Sequence, residues 1–253
     1  MALIELSHVT MRFGGLVAVN DLNLAFDAGQ LYGLIGPNGA GKTTVFNVIT
    51  GVYTPTSGSI RFDGEEISGQ RSGRITRRGI ARTFQNIRLF GDMTVLDNVK
   101  VAFHCRQEAG VAAAVLRTPT HAAEEARVDE DSRELLKIFK LDGLADEKAR
   151  NLPYGSQRRL EIARAMATAP RLLLLDEPAA GMNPQEAQQL MDLIRWVRDH
   201  FGMAILLVEH NMKVVMGICE MVQVLDYGST IAAGKPAEIQ ANPKVIEAYL
   251  GGA

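Results

Sequence analysis

Cysteine, tryptophan and charge of a single sign are all scarce in this chain. Its 253 residues include two cysteines, one tryptophan and nine prolines, and aromatic residues make up only 6%. Two cysteines, Cys105 and Cys219, cannot build a disulfide framework and point to a reducing compartment. Lysine plus arginine number 27 against 29 acidic residues, a formal charge of −2. A sum so near zero excludes a general nucleic-acid binder acting through its overall field. Long hydrophobic runs are missing too. Stretches such as Met203–Val208 fall far short of the roughly 18 apolar residues of a membrane-spanning helix, so a membrane role has to come through a partner. Met1–Glu5 has neither a basic flank nor an apolar run, which predicts no secretory signal. What the chain does have is apolar matter, 47% of it, with 22% charged residues. That is the balance of a folded globule, long enough for one large domain or two intimate subdomains.

Hydrophobic patterning divides the chain. Leu3–Val9 and Leu22–Phe26 alternate apolar and polar residues and read as half-exposed strands. Leu31–Ile35 is a short buried strand, followed by a glycine-rich loop and a helix from Lys42 to about Gly51. Ile60–Asp63 reads as a strand closed by an Asp63-Gly64 hairpin turn. From about Val95 to Asn151 strand signals are few, and the segment reads as mostly helical with a break at Thr118-Pro119. Alternation then returns. Helices are expected at Arg158–Thr168, Pro184–Phe201, Asn211–Cys219 and Ile239–Leu250, and strands at Leu172–Leu175, Ala204–Val208 and Met221–Tyr227. Short apolar strands separated by helices predict a largely parallel sheet covered on both faces. Six arginines between Arg71 and Arg88 without an acid read as a solvated or partner-facing helix rather than a nucleic-acid patch. The acidic run Glu124–Glu134 reads as an exposed helix face.

The chemistry begins at Gly36-Pro37-Asn38-Gly39-Ala40-Gly41-Lys42-Thr43, a full GxxxxGK[ST] pattern between a strand and a helix. Its glycines let successive N–H groups turn inward round a phosphate, and the following helix adds its positive dipole end. Lys42 suits the β- and γ-phosphates, the Thr43 hydroxyl suits Mg²⁺, and Thr44 suits the α-phosphate. The motif signifies a nucleoside triphosphate without separating GTPase, kinase and motor. Leu172–Leu175 then ends in Asp176-Glu177-Pro178, which places two carboxylates at the ligand-binding edge of a parallel sheet. Asp176 suits Mg²⁺ and Glu177 suits the attacking water as a base.

In that order, and with five further motifs, the chain resembles the ATP-binding subunits of ABC transporters over essentially its whole length. Phe13, in Met11-Arg12-Phe13-Gly14-Gly15, resembles the aromatic that stacks on adenine. Gln85, in Arg82-Thr83-Phe84-Gln85-Asn86, resembles the family's glutamine loop, which touches Mg²⁺ or the water. Leu152-Pro153-Tyr154-Gly155-Ser156-Gln157 resembles the signature motif, with Tyr154, Gly155 and Ser156 at the nucleotide. Ala180-Gly181-Met182-Asn183-Pro184 resembles the loop that crosses the dimer interface, and Val208-Glu209-His210 contains the counterpart of the switch histidine. The resemblance implies an α/β fold: a P-loop NTPase core of the RecA-like kind, an antiparallel β subdomain and an inserted α-helical subdomain. The expected divisions are residues 1–91 with 155–253 for the core and 92–154 for the helical subdomain. It also implies ATP and Mg²⁺, catalytic roles for Glu177, His210 and Gln85, and metal ligands Thr43, Gln85 and Asp176.

Two positions depart from the family pattern. Pro153 stands where serine is usual and brings no hydroxyl, and Asn183 stands where aspartate is usual. The expectation is a weakened ATP site at this signature, and a partner ATPase that is a different subunit with its own complete signature. The finer resemblance is to the ATPase of branched-chain amino acid importers, through Met11–Asn20, Arg82–Asn98, Val208–Met212 and Val245–Gly251. It implies two ATPase subunits, two integral-membrane permeases and a periplasmic binding protein, with this chain peripheral on the cytoplasmic face of the inner membrane and no nucleic acid involved. Importers of urea or other amides and lipopolysaccharide transporters share much of the pattern. A chromosome or repair ATPase would need long coiled coils between the two halves, and the separation here is too short.

Overall fold

A computed structural model describes residues 2–106 and 119–250. The expected interruption at Thr118 and the terminal Gly251 lie outside them. The chain forms two compact units: Met1–Gln85 with Arg171–Ala253, and Asn86–Pro170. The boundaries expected at residues 91 and 154 both fall inside the second unit.

The first unit carries two sheets. Strands β1 (Ile4–Phe13), β2 (Leu16–Phe26), β4 (Ser57–Phe62) and β5 (Glu65–Glu66) make an antiparallel sheet in the order β2-β1-β4-β5. Asp63 and Gly64 both take positive φ, 53° and 77°, and close the expected hairpin. The second sheet runs β10-β9-β3-β8-β7-β6. Its members are β3 (Leu31–Ile35), β6 (Ile80–Arg82), β7 (Leu172–Asp176), β8 (Ala204–Val208), β9 (Met221–Asp226) and β10 (Ser229–Gly234). All neighbours pair in parallel except β9 with β10. Every residue of β3, β7 and β8 is buried, which is why these strands read as unbroken apolar runs: helices cover both faces. At about 1.5–3 kcal/mol per buried leucine side chain, the Leu172–Leu175 run alone anchors the strand that ends at Asp176.

Helices α1 (Lys42–Ile49), α2 (Ser72–Arg77), α6 (Pro184–Phe201) and α7 (Met212–Ile218) belong to this unit. Asn183 caps α6: its Oδ1 accepts the Glu186 N–H at 2.9 Å while Glu186 accepts the Asn183 N–H at 3.1 Å. The terminal helix expected over Ile239–Leu250 is instead two helices, α8 (Pro236–Gln240) and α9 (Pro243–Leu250). Pro243 cannot donate back into a preceding turn, and Asn242 caps the new start by accepting the Lys244 N–H at 3.0 Å. Of the arginine cluster, Arg71 just before α2 and Arg74 and Arg77 on it are exposed, whereas Arg78 pairs with Glu65 and the Arg82 side chain is buried in an ion pair with Asp176.

The second unit contains α3 (Val95–Phe103), α4 (Pro119–Ile138) and α5 (Tyr154–Met166). The acidic run lies on α4 and is laced by Arg127–Asp131, Arg133–Asp129 and Lys137–Glu134 pairs, with Lys100 of α3 also on Asp129. Helix α5 begins at Tyr154, four residues earlier than the sequence pattern predicts, because Ser156 and Gln157 both donate their N–H to the Pro153 carbonyl, at 2.9 and 3.0 Å.

Candidate functional site

From Ile35 at the end of β3, residues 36–41 lead round to Lys42, the first residue of α1. Gly36 and Gly41 take φ of 152° and 100°. A Cβ on Gly36 would collide with the Leu225 carbonyl of β9, and one on Gly41 with the Ala18 carbonyl of β2. Only glycine meets both demands. Gly39, at φ 81°, faces open space on the exposed side of the loop beside Asn38. The loop is braced from behind, since Ala40 donates to the Pro37 carbonyl at 3.2 Å and accepts from Gly228 N–H at 3.1 Å. Lys42 is buried and its Nζ donates to the Gly36 and Pro37 carbonyls at 2.7 and 2.8 Å. Burial lowers its pKa, and the carboxylates of Glu177 and Asp176 pull the other way. Thr43 is exposed and Thr44 half-buried at the same helix end.

Asp176 closes β7 and is buried. Arg82 Nη2 donates to its Oδ2 at 2.8 Å, leaving Oδ1 without a hydrogen bond among the described residues. Burial raises the Asp176 pKa, against the lowering pull of the guanidinium. Glu177 sits in left-handed backbone, φ 47°, and its N–H donates to the Val208 carbonyl of β8 at 2.8 Å. Such a conformation in a non-glycine residue costs about 1–3 kcal/mol and recurs at working sites. The Glu177 carboxylate accepts from Gln85 Nε2 at 2.9 Å, and the same oxygen lies 3.5 Å from His210 Nδ1. The chain therefore brings Lys42, Gln85, Asp176, Glu177 and His210 together at the C-terminal ends of its parallel strands. Phe13 is 40% exposed at the end of β1, its ring edge-on to Tyr53 at 5.1 Å, so it is not a core residue. Tyr53 follows α1 and is fixed there by its N–H to the Asn47 carbonyl at 3.1 Å.

One carboxylate escaped the sequence reading. Glu209 is buried between Val208 and His210, and accepts the Ala179 N–H at 3.0 Å and the Asn211 N–H at 3.5 Å. It ties the segment after Glu177 to the segment bearing His210. Burial raises its pKa. A charged residue at the end of an apolar strand was the available signal.

In the second unit, Tyr154, Gly155 and Ser156 form the first turn of α5, and Pro153 is its cap residue, with no side-chain hydrogen bond to the turn. N–H groups in a first turn have no helical acceptor, so Tyr154 and Gly155 can offer theirs to a ligand. Ser156 is buried and its Oγ accepts from Arg159 at 3.1 Å. Below the turn, Arg158 is fully buried against Glu161 at 2.8 Å and also donates to the Tyr154 hydroxyl at 3.0 Å.

A Mg²⁺ ion fits the first unit's donor set. Asp176 offers a free carboxylate oxygen, and the Thr43 hydroxyl and Gln85 amide are further hard oxygen donors. Mg²⁺ commonly accepts one or two carboxylates when phosphates complete its shell.

Residues 19–180 match the ABC transporter family. The chain belongs to that family. This ABC transporter chain also matches, over residues 229–253, the branched-chain amino acid ATP-binding cassette transporter family. It is 49% identical to the high-affinity branched-chain amino acid transport ATP-binding protein BraF of Pseudomonas aeruginosa, and 47% identical to LivG of Escherichia coli, named for the same role. Each alignment covers 98% of both chains. Among solved structures, the ADP conformation of an ATP-binding cassette of an ABC transporter superposes with a TM-score of 0.87 at 29% identity, covering 99% of each chain. The ABC cassette architecture is therefore the architecture of this chain: a mixed α/β core, an antiparallel sheet and a helical unit. No helix among the described residues is long and apolar enough to cross a membrane.

Proposed function

We propose that this chain is the ATP-binding and hydrolysing subunit of an ABC importer, and that it powers uptake of branched-chain amino acids through partner permeases. The observation that carries the enzymatic reading is the meeting of Gln85, Glu177 and His210 on one carboxylate, beside Asp176 and the Lys42 loop. The solute reading rests on full-length similarity to BraF and LivG and on the C-terminal family match.

Each role follows from placement. The loop N–H groups and the start of α1 cradle the phosphates, and Lys42 exchanges its two carbonyl partners for phosphate oxygens. Asp176, Thr43 and Gln85 would hold Mg²⁺, which would neutralise charge developing on the phosphoryl oxygens. Glu177 accepts a proton from the attacking water, held in register by its backbone bond to β8 and by Gln85. His210 is exposed and free to turn from Glu177 toward the γ-phosphate. Phe13 stacks on adenine. The signature residues Tyr154, Gly155 and Ser156 serve the nucleotide of a partner subunit, so that two ATPs lie between two chains.

The working assembly is two ATPase subunits on two permeases, fed by a periplasmic binding protein. This chain sits on the cytoplasmic face, and its partner ATPase is a different subunit with an intact serine in its signature. Glu177→Gln tests the central assignment. ATP binding should persist while hydrolysis falls by about 10²- to 10⁴-fold, and wild-type turnover would overturn it.

A further inference from the structure

The sequence places Arg82 in a surface charge cluster, yet its side chain is only 7% exposed. Nη2 donates to Asp176 Oδ2 at 2.8 Å and Nη1 to Asn47 Oδ1 at 2.6 Å. The guanidinium carbon lies 5.2 Å from the Phe46 ring centre and 4.9 Å from that of Phe84, so two aromatic rings hold it as well. Its neighbours explain why this matters. Phe46 and Asn47 are on α1, one helical turn beyond Lys42 and Thr43. Asp176 is at the tip of β7, and Phe84 immediately precedes Gln85. A single buried cation thus touches each of the three segments that supply an Mg²⁺ ligand under the proposed function.

We infer that Arg82 is the positioning residue of the Mg²⁺ site: it fixes the register of α1, β7 and the glutamine segment, and turns Asp176 so that Oδ1 faces the metal. The inference rests on the ATPase reading and goes beyond it. The planar guanidinium suits this task because it bonds two fixed acceptors at once while stacking on rings. An ammonium in its place reaches one acceptor at a time and stacks poorly.

Binding of a fluorescent ATP analogue to the purified full-length chain, in EDTA and across a Mg²⁺ titration, separates the two readings. In Arg82→Gln the Mg²⁺ concentration giving half-maximal tightening should rise about tenfold or more, with affinity in EDTA within about twofold of wild type. Arg82→Lys should fall between. Asn47→Ala, which spares the buried ion pair and keeps the assay interpretable if Arg82→Gln does not fold, should shift the Mg²⁺ midpoint in the same direction by a smaller factor. An unchanged Mg²⁺ midpoint in Arg82→Lys and Asn47→Ala overturns the inference and leaves the ATPase reading intact. Equal loss of affinity with and without Mg²⁺ in a folded variant also overturns it, since that is a general packing role. Failure of the wild-type chain to bind the analogue under either condition overturns both.

Discussion

Under the proposed function, the strand tips of the first unit and the helix end of the second handle phosphate chemistry by opposite means. At the strand tips the work falls on side chains, each with assigned partners: Glu177 meets Gln85 and His210, Asp176 meets Arg82, and Lys42 meets two carbonyls. At the start of α5 the proposed role falls to the backbone, and the cap residue contributes no side-chain bond. Residue identity is therefore tightly constrained where a side chain reacts and loosely constrained where an N–H does. A proline at position 153 is tolerable for that reason, whereas no comparable change is expected to survive at position 177.

That contrast can be broken by experiment, most forcefully at Glu177. The Glu177→Gln change should abolish turnover by the factor given above while a closed, ATP-loaded pair accumulates; size-exclusion chromatography with ATP reads the accumulation. Lys42→Ala should weaken nucleotide affinity by about 10- to 100-fold, the equivalent of one or two charge-assisted hydrogen bonds, measured by equilibrium binding. At the helix end the effects should be smaller and of opposite sign. Pro153→Ser supplies a capping hydroxyl worth about 1 kcal/mol, so Tm should rise by about 2–4 °C. In the reconstituted complex, apparent ATP affinity should improve by up to about tenfold. If neither moves, the N–H groups of the helix end suffice without a hydroxyl, and the expected weakening of the site by Pro153 is refuted.

Glu209→Gln gives the smallest effect and tests the link between the tips. Because the folded pKa of Glu209 is raised, the native protein holds its proton longer than the unfolded chain does. Stability is therefore lost as pH climbs from the ordinary carboxylate range through the raised value. The Gln variant should lack that decline, with Tm at pH 7 up by a few degrees. Turnover should fall modestly as Ala179 and Asn211 lose a charged acceptor. A pH series of melting curves on both proteins checks the sign.

The parts of this site legible in the sequence were those encoded locally. The phosphate loop has a spacing rule, and Asp176 and His210 follow apolar runs long enough to mark buried strands. Strand β6 escaped because it spans only Ile80–Arg82 and lies among arginines. β10 escaped because Ser229–Gly234 has no long apolar side chain beyond Ile231. Arg82 and Glu209 look like surface charges in sequence. Their burial depends on Asp176, 94 positions from Arg82, and on the backbone of Ala179, 30 positions from Glu209, and no periodicity reports such pairings. The start of α5 is hidden in the sequence for a related reason: Pro153 and Gly155 are poor helix formers, yet the carbonyl of Pro153 receives two N–H bonds.

Lys42, folded back onto the carbonyls of Gly36 and Pro37, keeps the cradle shaped before any nucleotide arrives. On the proposed role of Lys42, binding is an exchange of partners rather than an ordering of a floppy segment, and little conformational entropy should remain to be lost. The exchange also sets a threshold. Under the proposed function, a nucleoside monophosphate has no distal phosphate to offer the ammonium in return for two surrendered bonds, so AMP should be turned away by an unfilled vacancy and not by a wall.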